Sequence, residues 1–409
     1  MPGTRKVDPV TEARGRPLSD SVLELLWREG QASRADIARK TGLSRSTVSD
    51  IVSGLLASGL VVEAGDGPSR GGRRPILLRF QDQEHVILGI EMGASHLTVV
   101  LTDLRGRVLG STEVAHPVRT DPEGTAERMI ALARSCLSEC DGCARRLLGV
   151  GVAAPCPVDP REPDRLSDVV MPAWRGFKLT ECLASAFGVP IFLDNDANLG
   201  ALAEHWWGAG REWDDFTYVK LGTGVGAGHL IRGEIYRGSS GVTGEIGHLS
   251  LDPNGPPCVC GNRGCLATFI GSAALVERAR ALLPEYPRSL LAGDEVDIDA
   301  IEDAALADDP LAMRVVREAA DHLGSAIAGV LNLLNPSAVI LGGGLSRVGD
   351  RLVVPVREAV ISRTLVSSVA AAQIRVTELG PRAVALGAAT QVLARALSDP
   401  SLFPGMAGR

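Results

Sequence analysis

Four residues with metal-ligand chemistry lie close together in the second half of the sequence. The spacing H-x9-C-x-C-x4-C is formed by His248, Cys258, Cys260 and Cys265. Three thiolates and one imidazole make the closed tetrahedral set of a structural zinc ion, with no position left for water. The alternative is that these cysteines merely pack, but their density and the glycines and prolines between them favour zinc.

The other cysteines support a different interpretation. Cys136, Cys140 and Cys143 have the spacing C-x3-C-x2-C, which is similar to that of some iron–sulfur ligands. They lie on or just beyond an amphipathic helix, so buried small hydrophobic side chains are the better interpretation. Eight cysteines in a chain of 409 residues do not indicate a disulfide framework.

A second group of polar residues follows an apolar strand. The segment PIFLDNDAN places Asn195 and Asp196 at the carboxyl end of that strand, where ligands bind in α/β sheets. A carboxylate there can accept hydrogen bonds from a ligand, and it can also act as a general base. The alternative role for Asp196 is a helix cap.

The first 80 residues have the pattern of a DNA-binding head. Three short amphipathic helices are predicted, and a tight turn at Gly42 joins the last two as a helix-turn-helix. A hairpin wing should follow, and a small helical bundle for protein contacts is the alternative. The expected DNA contacts are polar residues of the helices and arginines of the wing: Arg34, Ser44, Arg45, Ser46, Thr47, Ser49, Arg70, Arg73 and Arg74.

Composition agrees with this division. Residues 1–80 carry a net charge of +4, whereas the remaining residues carry −11. A basic head on an acidic body suits a protein that turns one end toward nucleic acid. No apolar run reaches the length of a membrane helix and the N-terminus has no signal-peptide pattern, so a cytoplasmic protein without membrane contact is expected.

The rest of the chain alternates strands and helices twice over, which predicts an α/β body of two related lobes. We predict a flexible segment over 1–17 and a winged helix-turn-helix over 18–82. The first lobe should cover 84–205 plus 381–397, and the second 206–380 with its zinc loop at 248–265. Segment 216–231 is predicted as one strand.

Several of these segments resemble the ROK family of repressors and sugar kinases, whose core is an actin-like, two-lobed sugar-kinase fold. The resemblance is carried by LDNDANLGALAEHWWGAG, KLGTGVGAGHLIRGEI, GEIGHLSLDPNGPPCVCGNRGCLATF and VILGGGLS. It runs from about Val86 to Leu397. The preceding winged helix is similar to that of the regulator branch of the family.

The resemblance implies roles for individual residues. Asp196 matches the base that takes the proton of the phosphorylated hydroxyl in the kinases, and with Asn195, Glu245 and His248 it would contact the sugar. The loops matching the family's phosphate and nucleotide turns contain Gly93, Gly222, Thr223, Gly224, Gly226 and Gly343.

Departures from the kinase pattern speak against ATP and magnesium as cofactors. The first phosphate loop, D-x-G-G-T-K in the kinases, has Glu91, Ala94 and His96 here, and Ala267 replaces a glutamate that contacts sugar. Phosphoryl transfer depends on exact positioning of metal and phosphate, so such changes cost rate.

Three functions are therefore open. The first is a sugar-responsive regulator, a repressor of carbohydrate genes, that binds an operator in double-stranded DNA as a homodimer or homotetramer and takes a sugar or sugar phosphate as effector. The second is an active ATP-dependent hexose kinase with a DNA-binding head. The third is a ligand-independent regulator whose body serves only for oligomerisation.

Overall fold

The structure is a computed structural model that describes residues 18–68, 74–140, 146–293, 295–364 and 372–403. Its strands form one three-stranded sheet and two five-stranded sheets. The segment 1–17, predicted as flexible, lies outside the described residues.

The head contains three helices and a small antiparallel sheet. Its elements are α1 (Leu18–Glu29), β1 (Gln31–Ser33), α2 (Arg34–Thr41), α3 (Arg45–Ala57), β2 (Val61–Asp66) and β3 (Ile76–Phe80). Ser33 and Asp36 form a capping box at the start of α2, and Gly42 ends that helix in the left-handed conformation at a φ of 72°. Strands β2 and β3 pair as the predicted wing, and the short strand β1 extends their sheet.

The first lobe is built on a five-stranded sheet in the order β6-β5-β4-β7-β8. Its strands are β4 (His85–Met92), β5 (His96–Asp103), β6 (Val108–Ala115), β7 (Arg146–Ala154) and β8 (Ile191–Asn195). Every residue of β4 is buried, which fits a central strand covered on both faces. Two helices cover the sheet, α4 (Pro122–Glu139) and α5 (Leu179–Phe187).

The second lobe repeats the arrangement with the order β11-β10-β9-β12-β13. Its strands are β9 (Phe216–Leu221), β10 (Val225–Ile231), β11 (Glu234–Ile235), β12 (Ala338–Gly342) and β13 (Gln373–Val376). Its helices are α7 (Ala267–Ile270), α8 (Ser272–Leu282), α9 (Ile298–Leu306), α10 (Pro310–Leu334) and α11 (Asp350–Arg363). The prediction of one strand over 216–231 was wrong. Gly222 and Gly224 turn the chain, so that β9 and β10 form an antiparallel hairpin.

Two helices join the parts of the molecule. Helix α6 (Asp196–Trp207) packs against β10, and α12 (Ala383–Ser398) returns from the end of the chain to pack against α6, β4 and β7. The contact between α12 and α6 is close enough that a Cβ on Gly387 would lie 1.8 Å from the Leu199 carbonyl oxygen. Glycine is therefore required there by the approach of two backbones.

The head is packed onto the body rather than separated by a free linker. One apolar cluster joins Val22 and Leu26 of α1 with Ala389 and Leu393 of α12. Within the described residues, no helix is both long and apolar enough to cross a membrane.

Candidate functional site

The four residues of the predicted zinc loop come together in the structure. The ligand atoms of His248, Cys258, Cys260 and Cys265 all lie within 4.8 Å of one another. Cys258 Sγ lies 3.4 Å from His248 Nδ1, and Cys260 Sγ lies 3.6 Å from Cys265 Sγ. Bonds of about 2.3 Å to sulfur and about 2.0 Å to nitrogen would place tetrahedral ligands roughly 3.5–3.8 Å apart. These donors could therefore hold one metal ion.

His248 connects this cluster to the region where the side chains of Asp196 and Glu245 lie near each other, which we call the cleft. It ends the short 3-10 turn Ile246–His248, and its other ring nitrogen, Nε2, lies 3.9 Å from Glu245 Oε2. One nitrogen can therefore ligate a metal while the other faces the carboxylate. Burial, and then the charge of Asp196, raise the pKa of Glu245 to about 7.

The loop that carries Glu245 is seated directly on β10. A Cβ on Gly244 would lie 1.8 Å from the Ala227 carbonyl oxygen, and Gly244 has a positive φ of 97°. Only glycine allows this approach and this conformation. The position of Glu245 is thus set by backbone packing as well as by the cysteine cluster.

Asn195 and Asp196 mark the junction of β8 and α6. The side-chain oxygen of Asn195 caps α6 by accepting from the Ala197 and Asn198 amides, and its amide donates to the Cys156 carbonyl. The cap considered for Asp196 is therefore provided by Asn195. Asp196 is the first residue of α6, and its Oδ1 accepts from the Ala197 amide at 2.7 Å.

Two further charged residues contact each other beside Asp196. Lys220, near the end of β9, places Nζ 2.7 Å from Asp196 Oδ2 and 2.7 Å from Glu91 Oε1. Burial opposes ionisation of Glu91, but Lys220 and His96 outweigh it and lower the pKa of Glu91 to about 2. The three charged side chains thus connect β4, α6 and β9.

The glycine-rich turns have different surroundings. Gly222 and Gly224 form the turn between β9 and β10, where a Cβ on Gly224 would have nothing within 4 Å and one on Gly222 would lie 3.9 Å from the Gly224 carbonyl oxygen. Thr223 between them is exposed. A Cβ on Gly226 would contact Ala197 Cβ at 3.4 Å, and one on Gly343 would lie 2.1 Å from the Leu221 carbonyl oxygen. The loop at Gly93 is closed by His96, whose ring would lie 2.1 Å from a Cβ there.

The predicted DNA contacts lie at the start of α3 and beside it. Ser44 caps the helix by accepting from the Thr47 amide at 3.1 Å, and its hydroxyl also lies 2.8 Å from that of Ser46. The side chains of Arg45, Ser46 and Ser49 are exposed, as is that of Arg74. Arg34 lies 3.4 Å from Glu63 of β2. Arg70 and Arg73 lie outside the described residues.

An aromatic contact joins the head to the body. The ring of Trp27 in α1 lies 5.2 Å from that of Trp206 and 6.1 Å from that of Trp207, at the end of α6. Trp27 Nε1 donates to the Leu104 carbonyl at 2.7 Å, and Arg105 donates back to the Trp27 carbonyl. The contact between head and body therefore consists of both hydrogen bonds and ring packing.

Sequence reasoning missed Lys220 and the tryptophan contact. Lys220 carries the one charge in the apolar strand FTYVKL, directly before a glycine turn, and this was a usable signal. The adjacent tryptophans 206 and 207 ended an amphipathic helix, but nothing in the sequence identified Trp27 as their partner.

Comparison with known proteins agrees with both parts of the chain. The sequence pattern of the ROK family matches residues 87–395, and that of the winged helix-turn-helix DNA-binding domain matches residues 21–62. The chain is 31% identical to the putative xylose repressor of Caldicellulosiruptor sp. (strain Rt8B.4) over 93% of this chain and 96% of that one. It is 32% identical to the N-acetylglucosamine repressor of Escherichia coli O6:H1 over 84% of each.

A solved structure shows the same architecture. It is the crystal structure of a ROK family transcriptional regulator, a homologue of the E. coli MLC protein, at 26% identity and a TM-score of 0.80. The match covers 95% of this chain and 98% of that one. The predicted fold class, a winged helix-turn-helix followed by the two-lobed ROK fold, is confirmed. This chain belongs to the ROK family and has the winged helix-turn-helix of that family's transcriptional regulators.

Proposed function

We propose that this protein is a sugar-responsive transcriptional regulator, a repressor of carbohydrate genes that binds operator DNA in the cytoplasm as a homodimer or homotetramer. The observation that carries the proposal is the single helix α6. It begins at Asp196 in the polar cleft and ends at the tryptophans that contact the head. Two chains would place two heads on the half-sites of a palindromic operator.

The cleft offers the chemistry that a sugar needs. Asp196, Glu245 and the Nε2 of His248 are hydrogen-bonding groups beside buried apolar strands, and a sugar or sugar phosphate presents many hydroxyls to such groups. We propose a structural zinc ion at the cysteine cluster, which would hold His248 and hence the loop of Glu245 in place. The putative xylose repressor and the N-acetylglucosamine repressor to which this chain is similar are named for two different sugars.

Helix α6 gives a route from ligand to DNA. Its 12 residues span about 18 Å at 1.5 Å per residue. A ligand that repositions Asp196 moves one end of a rigid element whose other end packs on Trp27 of the head. Such a displacement changes the spacing of two recognition helices in a dimer, and DNA affinity depends on that spacing.

The test is operator binding measured by gel shift, with and without candidate sugars. Arg45→Ala should weaken specific binding by about 5-fold to 150-fold, because an arginine at the start of a recognition helix contributes roughly 1–3 kcal/mol. Arg128→Ala, which removes another exposed arginine from α4 of the body, is the matched control and should bind normally. Absence of any specific retardation at moderate salt would disprove the function.

The coupling has its own prediction. Trp27→Ala should leave the sugar-free protein able to bind operator. It should remove the effect of sugar on that binding, because the ring through which α6 contacts the head is then absent. The measurement is the ratio of DNA affinities without and with sugar. Trp213→Ala is the control, since Trp213 stacks on Arg375 in the second lobe. An unchanged ratio in Trp27→Ala would show that the signal takes another route.

The kinase alternative has specific support in Asp196 at the start of α6 and in the open turn at Gly222–Gly224. The first phosphate loop, however, has Glu91, Ala94 and His96 in place of the kinase residues, and phosphoryl transfer depends on exact positioning of metal and phosphate. The regulator is therefore the better-supported function.

A further inference from the structure

Among the residues that the structure describes, Lys220 places a cation between two carboxylates of the cleft, those of Glu91 and Asp196. Its ammonium nitrogen lies 2.7 Å from Glu91 Oε1 and 2.7 Å from Asp196 Oδ2. The side chain of Glu91 is 3% exposed, that of Asp196 12% and that of Lys220 15%. Three elements that are far apart in sequence, β4, α6 and β9, thus bring one positive and two negative groups into contact.

The charges of these three side chains stabilise one another. An unpaired charge at such a depth would be costly, so each carboxylate depends on the ammonium and the ammonium on both carboxylates. Burial disfavours the charged form of Lys220, but Asp196 and Glu91 outweigh it and raise the pKa of Lys220. His96 Nε2 lies 3.8 Å from Glu91 Oε1, and its pKa is raised by the same carboxylate. The lysine therefore stays protonated throughout the physiological range.

Two carboxylates that face one point are also the oxygen ligands that Mg²⁺ and Mn²⁺ prefer. A divalent ion bridging them would lie about 2.1 Å from each oxygen. The Lys220 ammonium already occupies the space between the two oxygens, and like charges exclude each other there.

We infer that Lys220 is the resident cation of the cleft and takes the place of a divalent metal ion between Glu91 and Asp196. The cleft is consequently a metal-free site for a neutral, hydroxyl-rich ligand. Asp196 keeps free lone pairs to accept from a hydroxyl, while its negative charge is balanced from within the chain. The inference extends the proposed function to the charge state of the site, but it depends only on the geometry of these three side chains.

In the test, zinc-loaded protein is titrated with Mn²⁺, and the concentration of free Mn²⁺ is measured by electron paramagnetic resonance. Wild type should bind no Mn²⁺ in the cleft at millimolar concentrations. Lys220→Met, which keeps an unbranched apolar stem and removes the ammonium group, should gain one site per chain with an affinity at least about tenfold above any residual binding by wild type. Lys220→Arg keeps a positive charge and should behave as wild type.

A second substitution tests whether the Mn²⁺ ion binds between these carboxylates. The site gained in Lys220→Met should disappear in Lys220→Met/Asp196→Asn, which removes one of the two ligands. A folded Lys220→Met protein that binds no more Mn²⁺ than wild type would overturn the inference.

If Lys220→Met does not fold, wild type still decides the question. One Mn²⁺ per wild-type chain that is lost in Asp196→Asn would show that Lys220 does not exclude a metal, and its absence would support the inference. Because neither DNA nor sugar is present, a negative result here leaves operator binding untouched, and a failed gel shift leaves this result untouched.

Discussion

Cys260→Ser is expected to abolish stoichiometric metal binding and to remove the stabilisation of the protein by sugar. A serine hydroxyl is a much weaker zinc ligand than a thiolate, and we expect metal affinity to fall by at least about 100-fold. With the cluster open, His248 loses its fixed orientation, and the loop carrying Glu245 loses one of its two anchors. The measurements are metal content per chain and the shift of the unfolding temperature with added sugar.

The chain offers a matched control for this substitution. Cys182 on α5 is half-buried like Cys260 and lies in the first lobe, away from the cluster. Cys182→Ser should keep one metal per chain and the full temperature shift. If Cys260→Ser also retained stoichiometric metal, the four residues would not be the ligand set.

Gly387→Ala is expected to destabilise the body by about 3 kcal/mol or more, because the added methyl meets backbone rather than a flexible side chain. Its Cβ would lie 1.8 Å from the Leu199 carbonyl oxygen, so α12 and α6 must separate. Denaturant unfolding monitored by circular dichroism gives the free energy of unfolding directly. We expect the response to sugar to be impaired as well, since α6 carries Asp196.

The same substitution elsewhere should have the opposite sign. Gly329 lies inside α10, and a Cβ there would have nothing within 4 Å. Gly329→Ala should therefore stabilise the protein by up to about 1 kcal/mol, the difference in helix propensity between the two residues. Equal effects of the two substitutions would mean that α12 can move away from α6 without loss.

Much of this protein was predictable from local patterns. The helical periodicity and the tight turn at Gly42 defined the helix-turn-helix, and Ser33 and Ser44 cap its helices in the structure. The cluster of His248 and three cysteines was predictable because all four residues lie within one short segment, so spacing alone constrains them. Helix α11 was not predicted, since Pro355 interrupts its pattern.

For the wing, the sequence predicted the strand pairing, but the roles of individual residues remain predictions. The hairpin of β2 and β3 was predicted from strand pattern and turn residues, and its pairing is confirmed. The roles of Arg70 and Arg73 at its tip stay predictions, as do the domain boundaries and the sugar contacts. Operator binding by wild type and by Arg45→Ala tests the head, and Cys260→Ser tests the loop that carries Glu245.

By itself the sequence determined the fold class, the grouping of four residues that could hold a metal ion and the position of Asp196, because periodicity, caps and short-range spacing are properties of neighbouring residues. Only the tertiary structure decided the partners of Lys220, which lies 129 residues from Glu91 and 24 from Asp196. It also placed Trp27 against the end of α6. Strand order and helix packing create such contacts, and a single sequence encodes them only through the energy of the whole fold.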